Sequence, residues 1–307
     1  MTLQKIALGP LAYYWSRADT LSFYMDAMSW PVEIVYLGEV VCSRRHEMKA
    51  DDWFNVASEL RSAGKEVVMS SQILIDNESD RRSMHRLFER ALDRQLQVEA
   101  NDLSAVRTMQ QLRQPFIAGP HLNIYHAETL QWYWELGAVR YLPPVEMSGT
   151  ELAILQQSRP ATMQTEVQVW GRMALAFSAR CFTARHYRLN KDSCEFRCDA
   201  HPDGLLLAAR DGKPFLNLNG IQTQSAACID LNAQLPELKA MQVEVLRIQP
   251  QSQHTGAVVA AFALARDTGE VVRMPVSAYP AGADSCNGYW FGAPGMQSRE
   301  LTNMISV

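Results

Sequence analysis

Eight short apolar segments recur along the chain, separated by stretches with helical spacing, and this alternation restricts the folds open to it. The segments are residues 6–8, 34–37, 67–70, 97–100, 116–118, 139–142, 167–170 and 245–248. Such alternation predicts βα units around a parallel sheet. Eight units without a glycine-rich phosphate loop favour a TIM-like (β/α)8 barrel of the α/β class, with some irregularity. A doubly wound sheet is the alternative.

The stretches between the segments show the features of helices on the outside of such a barrel. Met84, Leu87, Phe88 and Ala91 share one helical face, and Gly64 marks a helix end. A length of 307 residues fits one large barrel or two ordinary domains. Since no linker or repeat is visible, we predict a single domain over residues 1–307.

One segment interrupts the alternation. Residues 180–216 are polar and rich in Cys, Arg and Asp, and they follow the seventh predicted strand. Cys42 follows the second. Loops after the strands of a barrel open onto its C-terminal face, where functional sites lie. We therefore expect an insertion whose cysteines share one rim with Cys42.

Four cysteines form the candidate site: Cys42, Cys181, Cys194 and Cys198. Four thiolates suit one tetrahedral zinc ion or one iron–sulfur cluster. The last three follow a C-x12-C-x3-C spacing, wider than the paired spacing of a zinc knuckle, which favours a cluster. Net charge and pI, −4 and about 6.0, argue against binding to a nucleic-acid backbone.

The other two cysteines are weaker candidates. Cys228 lies in an apolar run and is expected to be a buried core residue. Cys286 lies in a polar, turn-like segment and could be a fifth ligand or a reactive thiol. No apolar stretch reaches the length of a membrane helix. Residues 6–15 are better explained as a first core strand than as a signal peptide, so we expect a cytoplasmic protein with reduced thiols.

Polar side chains after other predicted strands extend the candidate site. His121, Asn123 and His126 follow the fifth strand, and Glu146 follows the sixth. Asn101 and Asp102 follow the fourth, although Asp102 could simply cap the next helix. Hydrogen-bonded structural roles are the alternative for the histidines.

Basic residues accompany the cysteines, and several hydrolase motifs are missing. Arg44, Arg45, Arg180, Arg185 and Arg188 would balance an anionic cluster or bind an anionic substrate. The sequence has no G-x-S-x-G, H-E-x-x-H or Walker A motif, so serine or zinc hydrolase chemistry lacks support.

Residues 166–181, EVQVWGRMALAFSARC, resemble the signature of the U32 "peptidase" family. Glu166, Gly171, Ser178 and Cys181 match the family pattern. The family's His, first Cys and second Gly are replaced here by Trp170, Ala174 and Ala179. Loss of the first Cys removes one of the family's usual cluster ligands, which Cys42 could supply.

The replacement of the first family Cys by Ala174, with Cys42 as the substitute ligand, resembles the UbiV branch of the family. Residues 36–45, 176–185, 218–223 and 284–290 also resemble that branch. The resemblance implies a 4Fe–4S cluster held by Cys42, Cys181, Cys194 and Cys198. It further implies a heterodimer with a UbiU-like homologue that hydroxylates the aromatic ring of prenylated ubiquinone precursors without O2, with prephenate as the oxygen donor. No catalytic residue carries over. A U32-type peptidase and a cluster-bearing RNA-modifying protein are the alternatives.

Overall fold

The computed structural model describes residues 4–280 and 282–299. The strands are β1 (Lys5–Leu8), β2 (Ile34–Leu37), β3 (Glu66–Ser70), β4 (Gln97–Ala100), β5 (Phe116–Ala118), β6 (Ala138–Tyr141), β7 (Gln164–Phe177), β8 (Leu205–Ala208), β9 (Pro214–Asn219), β10 (Gln222–Asp230), β11 (Val245–Ile248) and β12 (Ser285–Cys286). The helices are α1 (Arg17–Ala27), α2 (Ala50–Ser62), α3 (Glu78–Asp93), α4 (Leu103–Leu112), α5 (Ala127–Glu135), α6 (Gly149–Gln157), α7 (Phe182–His186), α8 (Leu235–Ala240) and α9 (Thr255–Thr268).

Eight parallel strands, β1 to β7 and β11, close into a barrel. Each pairs with the next along the chain, and β11 closes the ring by pairing with both β7 and β1. Lys5 lies opposite Val245, which in turn lies opposite Glu166. The predicted TIM-like (β/α)8 fold is confirmed, and each of the eight predicted segments overlaps one barrel strand.

The helices pack on the outside of the barrel through apolar faces. In α3, Met84, Phe88 and Ala91 are buried, as their spacing predicts, and the Asn77 side chain caps the helix by accepting from the backbone of Asp80. The main core lies between these helices and the outward-facing residues of the strands. Among the described helices, none is both long and apolar enough to cross a membrane.

Strand β7 is much longer than the seventh predicted segment and belongs both to the barrel and to an antiparallel extension of the same sheet. Its first half pairs with β6 and β11. From Trp170 onward it pairs antiparallel with β10, which continues into β9 and β8. Gly171 makes the transition at φ +110°, where a Cβ would come within 2.6 Å of Gln249 Cβ. The predicted Cys-rich insertion follows this strand, and its last part forms β8 and begins β9.

Candidate functional site

Cys42 lies in the loop after β2, on the C-terminal rim of the barrel. The Glu39 carboxylate accepts hydrogen bonds from the backbone N–H groups of Val41 and Cys42, at 3.1 and 3.2 Å. Cys42 is half-buried and packs, together with Cys181, against a small apolar cluster that includes Ile221. The Glu39 carboxylate therefore fixes the backbone at Cys42, and Cys42 and Cys181 pack against the same apolar cluster.

Cys181 precedes α7 and caps it. Its Sγ accepts from the backbone N–H of Ala184 at 3.4 Å. Gly220, in the β9–β10 turn at φ +63°, accepts from the backbone N–H of Phe182 at 2.7 Å and donates to Thr183 Oγ1 at 3.0 Å. The β9–β10 turn thus fixes the position of the segment that begins at Cys181.

Cys194 and Cys198 lie in short turns of the insertion and are half-buried. Arg44 Nη2 donates to the backbone carbonyl of Asp192 at 2.7 Å, and Lys191 forms a 3.1 Å ion pair with Asp76. Arg44 is two residues from Cys42, and Asp192 is two residues from Cys194. These contacts hold the cysteine-bearing insertion against the loops that follow β2 and β3.

Arg45 is the buried cation of this rim, with 5% of its surface exposed. It donates to the Ala12 carbonyl and to Asn219 Oδ1, each at 2.7 Å, and lies 3.5 Å from the Glu39 carboxylate. Burial raises the pKa of the Cys198 thiol to about 11, although the Arg45 guanidinium lowers it. The pKa of Cys42 is also raised by burial. Arg180, Arg185 and Arg188 are exposed.

Cys42 lies on the loop after β2, and Cys181, Cys194 and Cys198 lie on the insertion that is held against that loop. Within residues 4–280 and 282–299, no group of three or more His, Cys, Asp or Glu side chains is arranged as a metal site. All four candidate cysteines are half-buried. Cys228 and Cys286, in contrast, are fully buried, and Cys286 belongs to the main core.

A cavity of about 520 Å³ occupies the C-terminal mouth of the barrel. Four of the predicted polar residues line it: Asn101, His121, Asn123 and Glu146. The two other predicted residues have different roles. Asp102 caps α4, accepting from the backbone of Ser104 at 2.7 Å, and His126 is exposed just before α5.

The cavity shares a wall with the cysteine rim. Ala12, Val40, Ile73 and Phe177 line the cavity, and the same four side chains belong to the apolar cluster against which Cys42 and Cys181 pack. The rim and the cavity are thus adjacent, separated by one layer of apolar side chains.

A network of buried charges lies inside the barrel and reaches the cavity through Arg247 and Glu99. Glu166 is fully buried and accepts from the Tyr36 hydroxyl at 2.5 Å and from Arg247 Nε at 2.6 Å. Arg140 lies 3.5 Å from Glu166 and 3.0 Å from Glu66. The Glu that matches the family motif is therefore the centre of the ionic network inside the barrel.

Arg247 links this network to the cavity. Its Nη1 lies 2.8 Å from the Glu99 carboxylate, and its guanidinium carbon lies 3.9 Å from the centre of the Tyr36 ring. Ser70 Oγ donates to Glu99 at 2.7 Å, and Asn101 Nδ2 donates to it at 3.2 Å. Glu99 and Arg247 were not predicted from the sequence. The available signal was a single charged residue within each of the strands β4 and β11.

His121 is kept neutral by its place in the wall of the cavity. Its ring packs edge-on against Phe177, with 4.8 Å between centres. Burial lowers its pKa from 6.5 to about 4; nearby Glu99 opposes that shift and Arg247 adds to it.

We expect His121 to make the protein less stable in acid. The pKa of His121 is lower in the folded state than in the unfolded state, so between pH 6.5 and 4 the unfolded chain binds more protons. Stability therefore falls as pH drops from 6.5 toward 4. Allowing for partial exposure, the loss is about 1–2 kcal/mol. Urea unfolding of wild type and His121→Asn across this range measures it. Parallel profiles for the two proteins would contradict the assignment.

The closed barrel, with a polar cavity at its C-terminal mouth, defines a (β/α)8-barrel protein of the kind that carries enzyme active sites. The chain belongs to peptidase family U32, whose profile matches residues 20–271. The resemblance of residues 166–181 to that family is confirmed at this level.

Several solved structures are similar to this chain. The U32 peptidase Mk0906 has 10% identity and a TM-score of 0.46, over 82% of this chain and 94% of its own. A glycerophosphodiester phosphodiesterase from Parabacteroides distasonis has 9% identity and a TM-score of 0.45, over 85% and 100%. A 2,3-dimethylmalate lyase has 11% identity and a TM-score of 0.41, over 89% and 86%. None of these similarities bears on activity.

Proposed function

We propose that this chain is a 4Fe–4S protein of the UbiV branch. In this proposal it acts with a UbiU-like homologue to hydroxylate the aromatic ring of prenylated ubiquinone precursors without O2. The observation that carries the proposal is the wall shared by the cysteine rim and the mouth cavity. A redox group at the rim would lie next to a compartment large enough for a small reactant.

The cluster would be held by Cys42, Cys181, Cys194 and Cys198. When bound, a cluster would supply one-electron transfer, one route for the two electrons that leave the ring when a C–H bond becomes C–OH. The chain's own residues supply the surroundings. Arg45 provides a buried positive charge, and the apolar cluster around Ile221 shields the thiols from water on one side.

The partner and the reactants belong to the same proposal. On α5, Trp132 and Trp134 are 49% and 39% exposed, while Tyr133 is buried. Exposed tryptophans are frequent at protein–protein contacts, and these two suit a heterodimer with the UbiU-like homologue. Prephenate, the proposed oxygen donor, is an anion compatible with the arginines of the mouth cavity.

Hydrolysis through a covalent intermediate has less support. It would need a Ser, Thr or Cys nucleophile in the cavity, with a base within hydrogen-bonding reach. Over the part of the chain that the structure describes, the cavity lining contains none of these three residue types. An RNA-modifying role is disfavoured by the net charge of −4.

A deletion strain tests the function directly. We expect it to lose ubiquinone and accumulate under-hydroxylated precursors during anaerobic growth, and to keep ubiquinone in air. Quinones extracted from both cultures are quantified by mass spectrometry, with the wild-type gene returned on a plasmid as control. Normal ubiquinone in the anaerobic deletion strain would exclude the proposed function without affecting the ligand assignment.

A further inference from the structure

Arg172 is a buried cation in the mouth cavity. It follows Gly171 on β7, lies opposite Cys228 of β10, and has 4% of its surface exposed. Its side chain lines the cavity. Because an arginine is protonated at all ordinary pH values, this position carries a permanent positive charge.

The contacts of Arg172 leave that charge without a counter-ion. Its Nη1 donates to the backbone carbonyls of Ser225, at 3.1 Å, and Ala226, while its Nε is buried without a hydrogen-bond partner. Among the described residues, no carboxylate lies within 4.0 Å of it. Arg140 and Arg247, the other buried arginines of the barrel, each pair with two carboxylates.

Two acidic side chains of this region form hydrogen bonds with other partners. The Asp203 carboxylate accepts from both the backbone and the hydroxyl of Ser252, and Glu146 accepts from the Tyr125 hydroxyl. A buried charge without a partner costs several kcal/mol. Such a charge persists in a fold where something offsets it, and an anion in the cavity would do so.

The rest of the lining indicates the class of ligand. Four glutamines line the cavity, namely Gln168, Gln222, Gln224 and Gln249. Gln168 and Gln249 each donate one amide N–H to a backbone carbonyl, and Gln222 and Gln224 accept through their amide oxygens, so the N–H groups of Gln222 and Gln224 are the main donors for a ligand. Arg247 Nη2 is also buried without a partner. The cavity volume of about 520 Å³ suits a small molecule.

We propose that the mouth cavity binds a small organic oxyanion, with Arg172 as its counter-ion and the glutamine amides as hydrogen-bond partners. Carboxylate and phosphate both match the planar donors of a guanidinium. The proposal deepens the proposed function by assigning the anion site, yet it stands independently of whether the cysteines hold a cluster.

Calorimetric titration of the anaerobically purified protein tests this with three probes. Benzoate and phenyl phosphate carry the two candidate groups, and benzamide is a neutral probe of similar shape. We expect at least one anion to bind about tenfold or more tightly than benzamide, because a charge-assisted hydrogen bond contributes more than a neutral one. The anion that binds with the higher affinity shows whether the site prefers a carboxylate or a phosphate.

Amino-acid substitutions test whether Arg172 is responsible for the anion binding. Arg172→Met should weaken anion binding about tenfold or more, and Arg172→Lys should retain part of it. Arg210→Met removes an exposed arginine of the β8–β9 turn and should change nothing. If Arg172→Met does not fold, Gln224→Glu places a competing carboxylate in the cavity and should suppress anion binding while Arg172 stays in place.

Two results would overturn the proposal. One is that neither anion binds more tightly than benzamide. The other is that the anion affinity of Arg172→Met, or of Gln224→Glu if that variant must be used, equals that of wild type. Iron content, measured on the same samples, should not differ between wild type and Arg172→Met. Failure of the anion site is therefore distinguishable from failure of the cluster proposal.

Discussion

A Cys194→Ala, Cys198→Ala double variant is expected to lose nearly all its iron and acid-labile sulfide. The remaining thiolates, from Cys42 and Cys181, supply half of the ligands that a 4Fe–4S cluster needs. Both proteins are purified without oxygen and assayed for iron, sulfide and zinc. Thermal melting should also show a lower midpoint for the variant, because the cluster would tie the insertion to the loop after β2.

Cys228→Ala is the matched control, since Cys228 is fully buried away from the rim. It should keep its full iron content even if a small cavity lowers its stability. Full iron in the double variant would refute the ligand assignment. If the wild-type protein contains zinc instead of iron and the double variant lacks that zinc, the ligand assignment holds but the 4Fe–4S cluster is excluded.

Glu166→Gln is expected to lower the free energy of unfolding by about 3–5 kcal/mol. The substitution keeps the shape of the side chain but removes the negative charge that Arg140 and Arg247 share. Both guanidinium groups are buried and stay protonated, so the substitution leaves a positive charge without its counter-ion in the folded state and destabilises that state. Urea unfolding monitored by tryptophan fluorescence measures the change.

Glu128→Gln provides the control, because its side chain is 86% exposed and its pairing with His126 is a surface contact. It should change stability by less than about 0.5 kcal/mol. A double-mutant cycle with Arg247→Met tests the cause, since the two substitutions should be strongly non-additive. Additive effects would show that the Glu166–Arg247 pair does not carry the stability.

Sequence patterns predicted the barrel because most of its strands are short, largely apolar and followed by a helical stretch. The boundaries were accurate to about one residue for seven strands. They failed for β7, which was predicted to end at Trp170, although residues 173–177 are apolar and the strand continues through them by pairing with β10. Such pairing depends on residues about 50 positions away, which local periodicity does not report.

The candidate site was predicted only in part. Position after a strand located Asn101, His121, Asn123 and Glu146 in the cavity, because loops after parallel strands converge there. The same rule misplaced His126, whose side chain faces solvent. Arg172 could not be found in this way, since its lack of a counter-ion is a property of the folded surroundings and not of any motif.

The double membership of β7 limits how this protein can be taken apart. One continuous backbone contributes to the barrel up to Trp170 and to the antiparallel sheet beyond it. The insertion is therefore not a detachable module that could be trimmed or moved to another barrel by cutting at its ends. A chimera would have to exchange β7 through β10 as one block, together with the barrel neighbours that β7 contacts.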